Sequence, residues 1–208
     1  MKWWWLILGS YLVASIPFGY LIGRARFGID VRTLGSGNVG ATNVMRTVGK
    51  LPGLCVLLLD MAKGTIPVLI VIVIGAPAEV VGSVALAAVC GHVFSIFLLF
   101  RGGKGVATAI GAYLPIAPSQ ALFVIAIFMV VLLWKRYVSM ASMVAVASFP
   151  AVLLIANQTG WFPLIPVPIV VSATVSSFLI IVRHLENIYR LLSGKESRLE
   201  GPLEVRLK

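Results

Sequence analysis

The chain is dominated by uninterrupted apolar segments that are each about long enough to cross a lipid bilayer. An α-helix needs about 20 apolar residues to span about 30 Å of hydrocarbon. The segments that meet this requirement, or come close to it, are residues 3–23, 51–75, 79–100, 117–134, 138–157 and 164–183. Only 12% of the residues are charged, against roughly 25% in soluble proteins. We therefore predict an all-α, polytopic integral membrane protein that forms one domain over residues 1–208.

The positive charges between these segments predict the topology. Lys and Arg collect on the cytoplasmic side of membrane proteins. The cations of residues 101–104 and 135–136 can share that side only if the chain between them enters the membrane and returns. Residues 105–115 would then form a seventh, short helix of about 16 Å, which cannot cross alone. We predict seven membrane helices with the N-terminus outside and the C-terminus cytoplasmic, which leaves only Lys2 and Glu79 on the outer face.

The charge and cysteine patterns argue against several other classes. A formal net charge of +10 is compatible with nucleic-acid binding. The basic residues lie between apolar segments rather than in a tail or stripe, so we predict no nucleic-acid partner. Cys55 and Cys90 both lie in apolar segments without zinc-ligand spacing, so we expect neither a disulfide nor a metal site.

A polar stretch follows the first predicted span: residues 34–50, LGSGNVGATNVMRTVGK, which we call the glycine loop. Its GxGxxG pattern is a weak dinucleotide signal because no strand precedes it, and no P-loop pattern is complete. Glycines let backbone N–H groups turn toward one point, and a helix over residues 41–48 would add its positive end. A flexible connector is the alternative, but it does not need Arg46. The predicted phosphate contacts are Gly35, Ser36, Gly37, Asn38, Gly40, Thr42, Asn43 and Arg46.

A second candidate phosphate site is the RGGKG turn, residues 101–105, which leads into the short helix. Lys104 lies near a helix N-terminus, where a cation is unfavourable, so its position indicates an anionic partner. Anchoring by the positive-inside rule is the alternative; it explains Arg101 but not three glycines. The predicted contacts are Gly102, Gly103, Lys104, Gly105 and Thr108.

A third polar group follows the last predicted span. His184, Asn187 and Arg190 share one face of a helix, whereas Glu186 points elsewhere and can pair with a basic residue. His184 could donate hydrogen bonds or move a proton. A histidine at a membrane boundary is often only an anchor, but these neighbours favour a functional group.

Three ionisable residues lie inside the predicted spans: Asp60, Lys63 and His92. Such groups are costly in lipid and should face the interior of the helix bundle. Asp60 and Lys63 lie three residues apart on one helical face and can form an ion pair. A structural pair is the simplest interpretation.

Several anion sites on one cytoplasmic face indicate phosphorylated substrates beside lipid. No Ser-His-Asp set is evident, and Phe97 and Tyr189 stand five residues after the two histidines, where a His-x4-Asp pair would need aspartate. Chemistry would then depend on positioning, electrostatic stabilisation and a reactive donor. A transporter of a phosphorylated metabolite is the alternative, although the sequence shows no internal repeat. A structural membrane subunit would leave the glycines unexplained.

Four stretches resemble the motifs of the bacterial membrane-bound acyl-phosphate:glycerol-3-phosphate acyltransferases: GSGNVGATNVMRTVGK, LDMAKGTIPV, GHVFSIFLLFRGGKGVATAIG and RHLENIYRLLSGKES. The departures are Val39 and Ser95, where we expect prolines, and Arg101, where lysine is common. The resemblance implies transfer of a fatty acyl group from acyl phosphate to the 1-hydroxyl of glycerol 3-phosphate, which gives 1-acylglycerol 3-phosphate and phosphate for phospholipid synthesis. It also implies that neither acyl-CoA nor acyl carrier protein is the donor.

The resemblance further implies a multi-pass protein of the bacterial cytoplasmic membrane, in contact with membrane lipid, without a cofactor, and with its active site facing the cytoplasm. We expect five residues to act in catalysis: Ser36, Arg46, Lys104, His184 and Asn187. The other glycine-loop and RGGKG-turn contacts, with Arg190 and His92, are expected to bind substrate. We expect the leaving phosphate to accept the hydroxyl proton, and His92 is the alternative general base. Which phosphate site takes which substrate stays open.

Overall fold

The computed structural model describes residues 3–160 and 162–199 of the chain, and all regular secondary structure in those ranges is helical. The α-helices are α1 (Trp4–Ala14), α2 (Phe18–Phe27), α3 (Ala41–Thr47), α4 (Lys50–Val73), α5 (Ala78–Val93), α6 (Val106–Tyr113), α7 (Pro118–Lys135), α8 (Val138–Thr159), α9 (Val167–Val182) and α10 (Leu185–Leu192). Short 3-10 helices follow α2 at Val31–Thr33 and α5 at Ile96–Leu98.

Five helical stretches are long and apolar enough to cross a membrane: α1 together with α2, α4, α5 with its 3-10 turn, α7 and α8. Helices α9 and α10 are bent by 50° at a short break, and they give a sixth candidate when they are counted as one span. Helix α6 has eight residues and is too short to cross alone, as the sequence predicts. The all-α membrane architecture is therefore confirmed for the part of the chain that the structure describes; Lys2 lies outside it.

The first predicted span is not one continuous helix. Helix α1 ends at Ala14 and α2 begins at Phe18, with Pro17 between them. Proline has no N–H and cannot continue the hydrogen-bond ladder. The carbonyl of Ile16, at this break, accepts a hydrogen bond of 2.9 Å from Nζ of Lys63 on α4. A buried lysine from another helix therefore stabilises the break.

The third predicted span, residues 79–100, also ends early, because α5 stops at Val93. Leu99 and Phe100 then adopt left-handed backbone angles, with φ of 51° and 63°. The chain turns back, and the N–H of Gly102 donates to the carbonyl of Val93 at 3.0 Å. This reversal places the RGGKG turn against the end of α5.

Close backbone contact fixes α6 against α4. A Cβ atom on Gly64 of α4 would clash with the carbonyl of Thr108, and one on Gly111 of α6 would clash with the carbonyl of Met61. Small residues allow membrane helices to approach in this way. Helix α5 is central, since it packs against α1, α4, α6 and α9, and these contacts position the start of α6 beside the polar segments.

Candidate functional site

The glycine loop is shaped by one buried amide. Asn43, which is 2% exposed, donates from Nδ2 to the carbonyls of Val31, Leu34 and Asn38 at 2.9, 3.1 and 2.9 Å. Its Oδ1 accepts from the N–H of Ser36 at 2.9 Å. The hydrogen-bonding capacity of this side chain is thus used within the loop. Substrate contact by Asn43 stays a prediction, and the geometry favours a role in shaping the loop.

Two features show which parts of the glycine loop are open to a ligand. Gly35 has a φ of 59°, and a Cβ there would clash with Oδ1 of Asn43, so only glycine fits. The N–H of Gly40 donates to Oδ1 of Asn38 at 2.8 Å, so this amide and that of Ser36 are already bonded. The side chains of Ser36, Thr42 and Arg46 lie on exposed residues and are open to a ligand.

The RGGKG turn packs on His92 at the end of α5. The N–H of Gly103 donates to the carbonyl of His92 at 3.1 Å, and a Cβ on Gly103 would clash with Nε2 of the imidazole. Thr108, which is fully buried, places Oγ1 3.1 Å from Nδ1 of the same ring. Because the amides of Gly102 and Gly103 are bonded to α5, the first free amides belong to Lys104 and to the first turn of α6.

A polar cluster at the boundary between α9 and α10, which we call the boundary cluster, joins the RGGKG turn to α10 and the tail. It comprises Lys104, Arg183, Asn187, Arg190 and Glu196. Lys104 donates to Oδ1 of Asn187, whose Nδ2 donates to Oε1 of Glu196 at 2.7 Å. Nε of Arg190 donates to Oε2 of Glu196 at 2.8 Å. One carboxylate therefore orients both an amide and a guanidinium beside Lys104.

Sequence reasoning did not single out Glu196 or its third partner, Ser139, which donates to Oε1 at 2.6 Å. Glu196 reaches the cluster because the chain reverses after α10 at Gly194, where φ is 69°. The sequence did contain one indication: Glu196 follows shortly after the helix that carries His184, Asn187 and Arg190.

Burial and neighbouring charges shift the ionisation of this cluster. The pKa of Lys104 is lowered to about 8, mainly by burial; Arg190 and Arg183 contribute to the lowering, and Glu196 and Glu186 oppose it. Partial burial raises the pKa of Glu196, but hydrogen bonds from Ser139, Arg190 and Asn187 outweigh it, and the net shift is downward. Lys104 is thus a cation that loses its proton more easily than an exposed lysine does.

His184 is buried at the start of α10. Its Nδ1 lies 2.8 Å from the carbonyl of Ile180. A carbonyl only accepts, so Nδ1 carries the proton and Nε2 is the lone-pair nitrogen of the neutral ring. Glu186, on the same helix, pairs with Arg190 at 3.7 Å, as the sequence predicts.

A second polar group, the membrane cluster, lies within the helix bundle and comprises Asp60, Lys63, His92 and Thr108. Nζ of Lys63 is 2.7 Å from Oδ1 of Asp60, and both side chains are 3% exposed. Nδ1 of His92 lies 3.7 Å from the same oxygen. The predicted ion pair is confirmed, and it is shielded from lipid.

A small cavity connects these regions. Its lining includes Val39 of the glycine loop, Gly102 of the RGGKG turn, and Lys63 and His92 of the membrane cluster. Its interior of about 10 Å³ has room for about one water molecule. The structure therefore brings the glycine loop beside the turn. Among the described residues, no hydrogen bond joins the exposed side chains of Ser36 or Arg46 to the boundary cluster.

The chain is similar to known proteins along almost its whole length. Residues 4–194 match the family model described as glycerol-3-phosphate acyltransferase. The chain is 45% identical over 192 residues to the glycerol-3-phosphate acyltransferase of Geotalea daltonii, covering 92% of this chain and 95% of that protein. It is also 45% identical over 199 residues to the protein of the same name from Aquifex aeolicus, covering 95% and 100%.

Solved structures give the same result for the fold. A crystal structure of an integral membrane glycerol 3-phosphate acyltransferase, in its glycerol 3-phosphate form, matches with a TM-score of 0.88 and 44% identity. The lysophosphatidic acid form matches with a TM-score of 0.85 and 42% identity. Each comparison covers 100% of both chains.

Proposed function

The chain belongs to the glycerol-3-phosphate acyltransferase family, and from this premise we propose that it transfers a fatty acyl group from acyl phosphate to the 1-hydroxyl of glycerol 3-phosphate. The products are 1-acylglycerol 3-phosphate and inorganic phosphate. The reaction takes place at the cytoplasmic face of a bacterial inner membrane, where the acyl chain stays in contact with lipid.

The observation that carries this proposal is the excess of cations beside free amides at the start of α6. Lys104, Arg183 and Arg190 lie together with Glu196 as their one largely buried carboxylate among the residues that the structure describes. Helix N-termini and forked guanidinium groups both favour phosphate. The glycine loop adds a further exposed cation, Arg46, and two phosphorylated substrates need two such sites.

In the proposed reaction, the 1-hydroxyl oxygen of glycerol 3-phosphate attacks the acyl carbonyl carbon. The bond from that carbon to the phosphate oxygen breaks, and phosphate leaves with the bonding electrons and accepts the hydroxyl proton. Gly35 to Gly40, with Ser36, Asn38 and Arg46, hold the acyl-phosphate head group and polarise its carbonyl. Lys104 and the amides after it hold a phosphate, and electrostatic contacts of this kind supply most of the stabilisation.

His184 and Asn187 orient glycerol 3-phosphate in this scheme. The Nδ1–H of His184 is held by the carbonyl of Ile180, which leaves Nε2 to accept a hydrogen bond from the acceptor hydroxyl. His92 is less suited to be a general base, because its Nδ1 faces Thr108 and its Nε2 lies against Gly103.

The proposed topology has seven membrane segments, with the N-terminus outside and the C-terminus cytoplasmic, in one domain over residues 1–208. Two observations support it. Helix α6 is too short to cross alone. The turn that precedes it contacts Arg183 at the end of α9 through Gly102 and Asn187 of α10 through Lys104. The short helix therefore begins beside the cytoplasmic end of the bundle.

The test uses purified protein in detergent, supplied with acyl phosphate and glycerol 3-phosphate, with phosphate release as the readout. Changing Ser36, Arg46, Lys104 or His184 to Ala should each cost about 2 to 4 kcal/mol of transition-state stabilisation while the protein stays folded. Lys135→Ala, which removes a cation stacked on Trp134, is the control and should keep full activity.

Replacing acyl phosphate by acyl-CoA tests the donor, and no product is expected. Turnover in detergent, where no sealed compartment exists, is expected of an enzyme but not of the transporter considered as the alternative. Full activity in all four alanine variants would remove the proposed site.

A further inference from the structure

Arg183, at the end of α9, contacts the RGGKG turn but was not among the predicted site residues. Its Nη2 donates to the carbonyl of Gly102 at 3.2 Å. Its Nε is buried and has no hydrogen-bond partner among the described residues. A cation at a helix C-terminus is favoured by the helix dipole, which explains the charge of Arg183. The helix dipole does not explain why the guanidinium of Arg183 contacts the RGGKG turn, or why its Nε is left without an acceptor.

The surroundings of Arg183 are short of negative charge. Arg183 lies close enough to Lys104, His184 and His92 for its positive charge to act on all three. Glu196 is bonded to Arg190 and Asn187, and Glu186 is 85% exposed at its side chain. A buried donor on a cation needs an acceptor, and an anion would supply one.

We propose that Arg183 is a further phosphate-binding residue, which keeps Nη2 on the carbonyl of Gly102 and uses its remaining N–H groups, Nε among them, for an oxygen of the phosphate held at Lys104. This inference rests on the proposed function, because the phosphate is that of a substrate or of the released product. The forked geometry of arginine allows one guanidinium to fix the turn and bind the ligand together.

The proposal has a consequence for pH dependence. Burial is the main reason that the pKa of Lys104 falls to about 8; Arg190 and Arg183 add to the fall, and Glu196 and Glu186 oppose it. His184 is the other titratable group facing this lysine. Removing the charge of Arg183 should raise the pKa of Lys104 and move the alkaline limb of kcat/KM to higher pH.

The experiment compares Arg183→Gln, Arg183→Lys and a control, Arg101→Gln, in detergent. Arg101 is an exposed cation of the same turn. The measurements are KM for each substrate, binding of glycerol 3-phosphate by calorimetry without a donor, and inhibition by inorganic phosphate. Arg183→Gln should weaken phosphate binding about 10- to 100-fold, as expected for a lost charge-assisted hydrogen bond. Arg183→Lys should lie between it and the unchanged protein, and Arg101→Gln should stay within about 2-fold.

If Arg183→Gln raises KM only for glycerol 3-phosphate, the site binds the acceptor. If it raises KM only for acyl phosphate, the site binds the donor. Either result supports the proposal. A folded Arg183→Gln protein with unchanged phosphate affinity and an unmoved alkaline limb would overturn it. If Arg183→Gln does not fold, unchanged phosphate affinity in folded Arg183→Lys would overturn the proposal instead, because lysine keeps the charge but loses the forked geometry. Unchanged protein that binds glycerol 3-phosphate but does not use acyl phosphate would refute the proposed donor, while the calorimetry still tests Arg183.

Discussion

The membrane cluster and the boundary cluster each contain a lysine and a carboxylate, but they balance their charges differently. In the membrane cluster, Lys63 contacts Asp60 at 2.7 Å and also donates to the carbonyl of Ile16. In the boundary cluster, three cations lie near one largely buried carboxylate, Glu196. Lipid offers no counter-charge, so a charge inside the bundle must be paired by the protein. At the boundary, a ligand can complete the balance.

The comparison separates structural charges from binding charges. A cation whose partners all belong to the protein, such as Lys63, is expected to affect folding. A cation in excess of the carboxylates around it, such as Lys104, is expected to affect binding and catalysis.

The largest effect is expected for Lys63→Met. This change leaves the carboxylate of Asp60 buried without its cation and also removes the hydrogen bond to Ile16 at the break between α1 and α2. Removing one partner of a buried pair costs about 3 to 5 kcal/mol. Thermal or denaturant unfolding in detergent should show this loss.

Two controls sharpen that test. The double variant Asp60→Leu with Lys63→Met removes both charges and should be more stable than Lys63→Met alone, since apolar replacement of a buried pair is often tolerated. Glu186→Gln breaks an ion pair of 3.7 Å whose carboxylate is exposed and should change stability by less than about 1 kcal/mol. Equal destabilisation by Lys63→Met and Glu186→Gln would contradict the contrast between the clusters.

A smaller effect is expected for Gly103→Ala, at the contact between the clusters. The added Cβ would clash with Nε2 of His92, so the RGGKG turn must move away from α5. Overpacking of this kind costs about 1 to 3 kcal/mol, and the displaced turn should raise KM for the phosphorylated substrate held at Lys104. Steady-state kinetics measure the change in KM, and unfolding in detergent measures the loss of stability.

Gly9→Ala is the matched control, because a Cβ at Gly9 of α1 meets no atom within 4 Å. This variant should leave KM unchanged. Its stability should stay the same or rise, because alanine has a higher helix propensity than glycine. If both alanine variants behave alike, the contact between Gly103 and His92 is not what positions the turn.

The sequence predicted those features that depend on local pattern. The apolar lengths gave the spans, the glycines and Lys104 located the turn, and the i, i+3 spacing of Asp60 and Lys63 predicted their ion pair, which is confirmed. The short helix from Val106 was predicted from the length of residues 105–115 and from the positions of the flanking cations.

The missed features depend on contacts between distant residues. The break before Pro17 is stabilised from 47 residues away by Lys63, and Glu196 bonds to Ser139, 57 residues earlier. Periodicity carries no information on such pairs. Asn43 shows the same limit: its residue type suits a ligand contact, but only the folded loop shows that its amide is occupied by Val31, Leu34, Asn38 and Ser36.

The smallest expected effect is a shift in pH dependence caused by Glu196→Gln. Lys104 is a cation below its pKa, which is about 8, so kcat/KM should fall as pH rises through that value. Glu196 opposes the lowering of this pKa. Its neutralisation should therefore move the alkaline limb to lower pH, by less than about one unit, which corresponds to less than about 1.4 kcal/mol.

In Glu196→Gln, Asn187 and Arg190 lose their carboxylate partner, which can lower activity at every pH. The pH at which kcat/KM falls does not depend on such an overall loss. Glu186→Gln is the control. Solvent screens the charge of this exposed carboxylate, so the alkaline limb should move less in this variant than in Glu196→Gln. Arg183→Gln should move the same limb to higher pH. The alkaline limb of the unchanged protein should therefore lie between those of Glu196→Gln and Arg183→Gln. Shifts of the same sign in both would show that Lys104 is not the group that titrates, and the boundary cluster would then need another source for its binding charge.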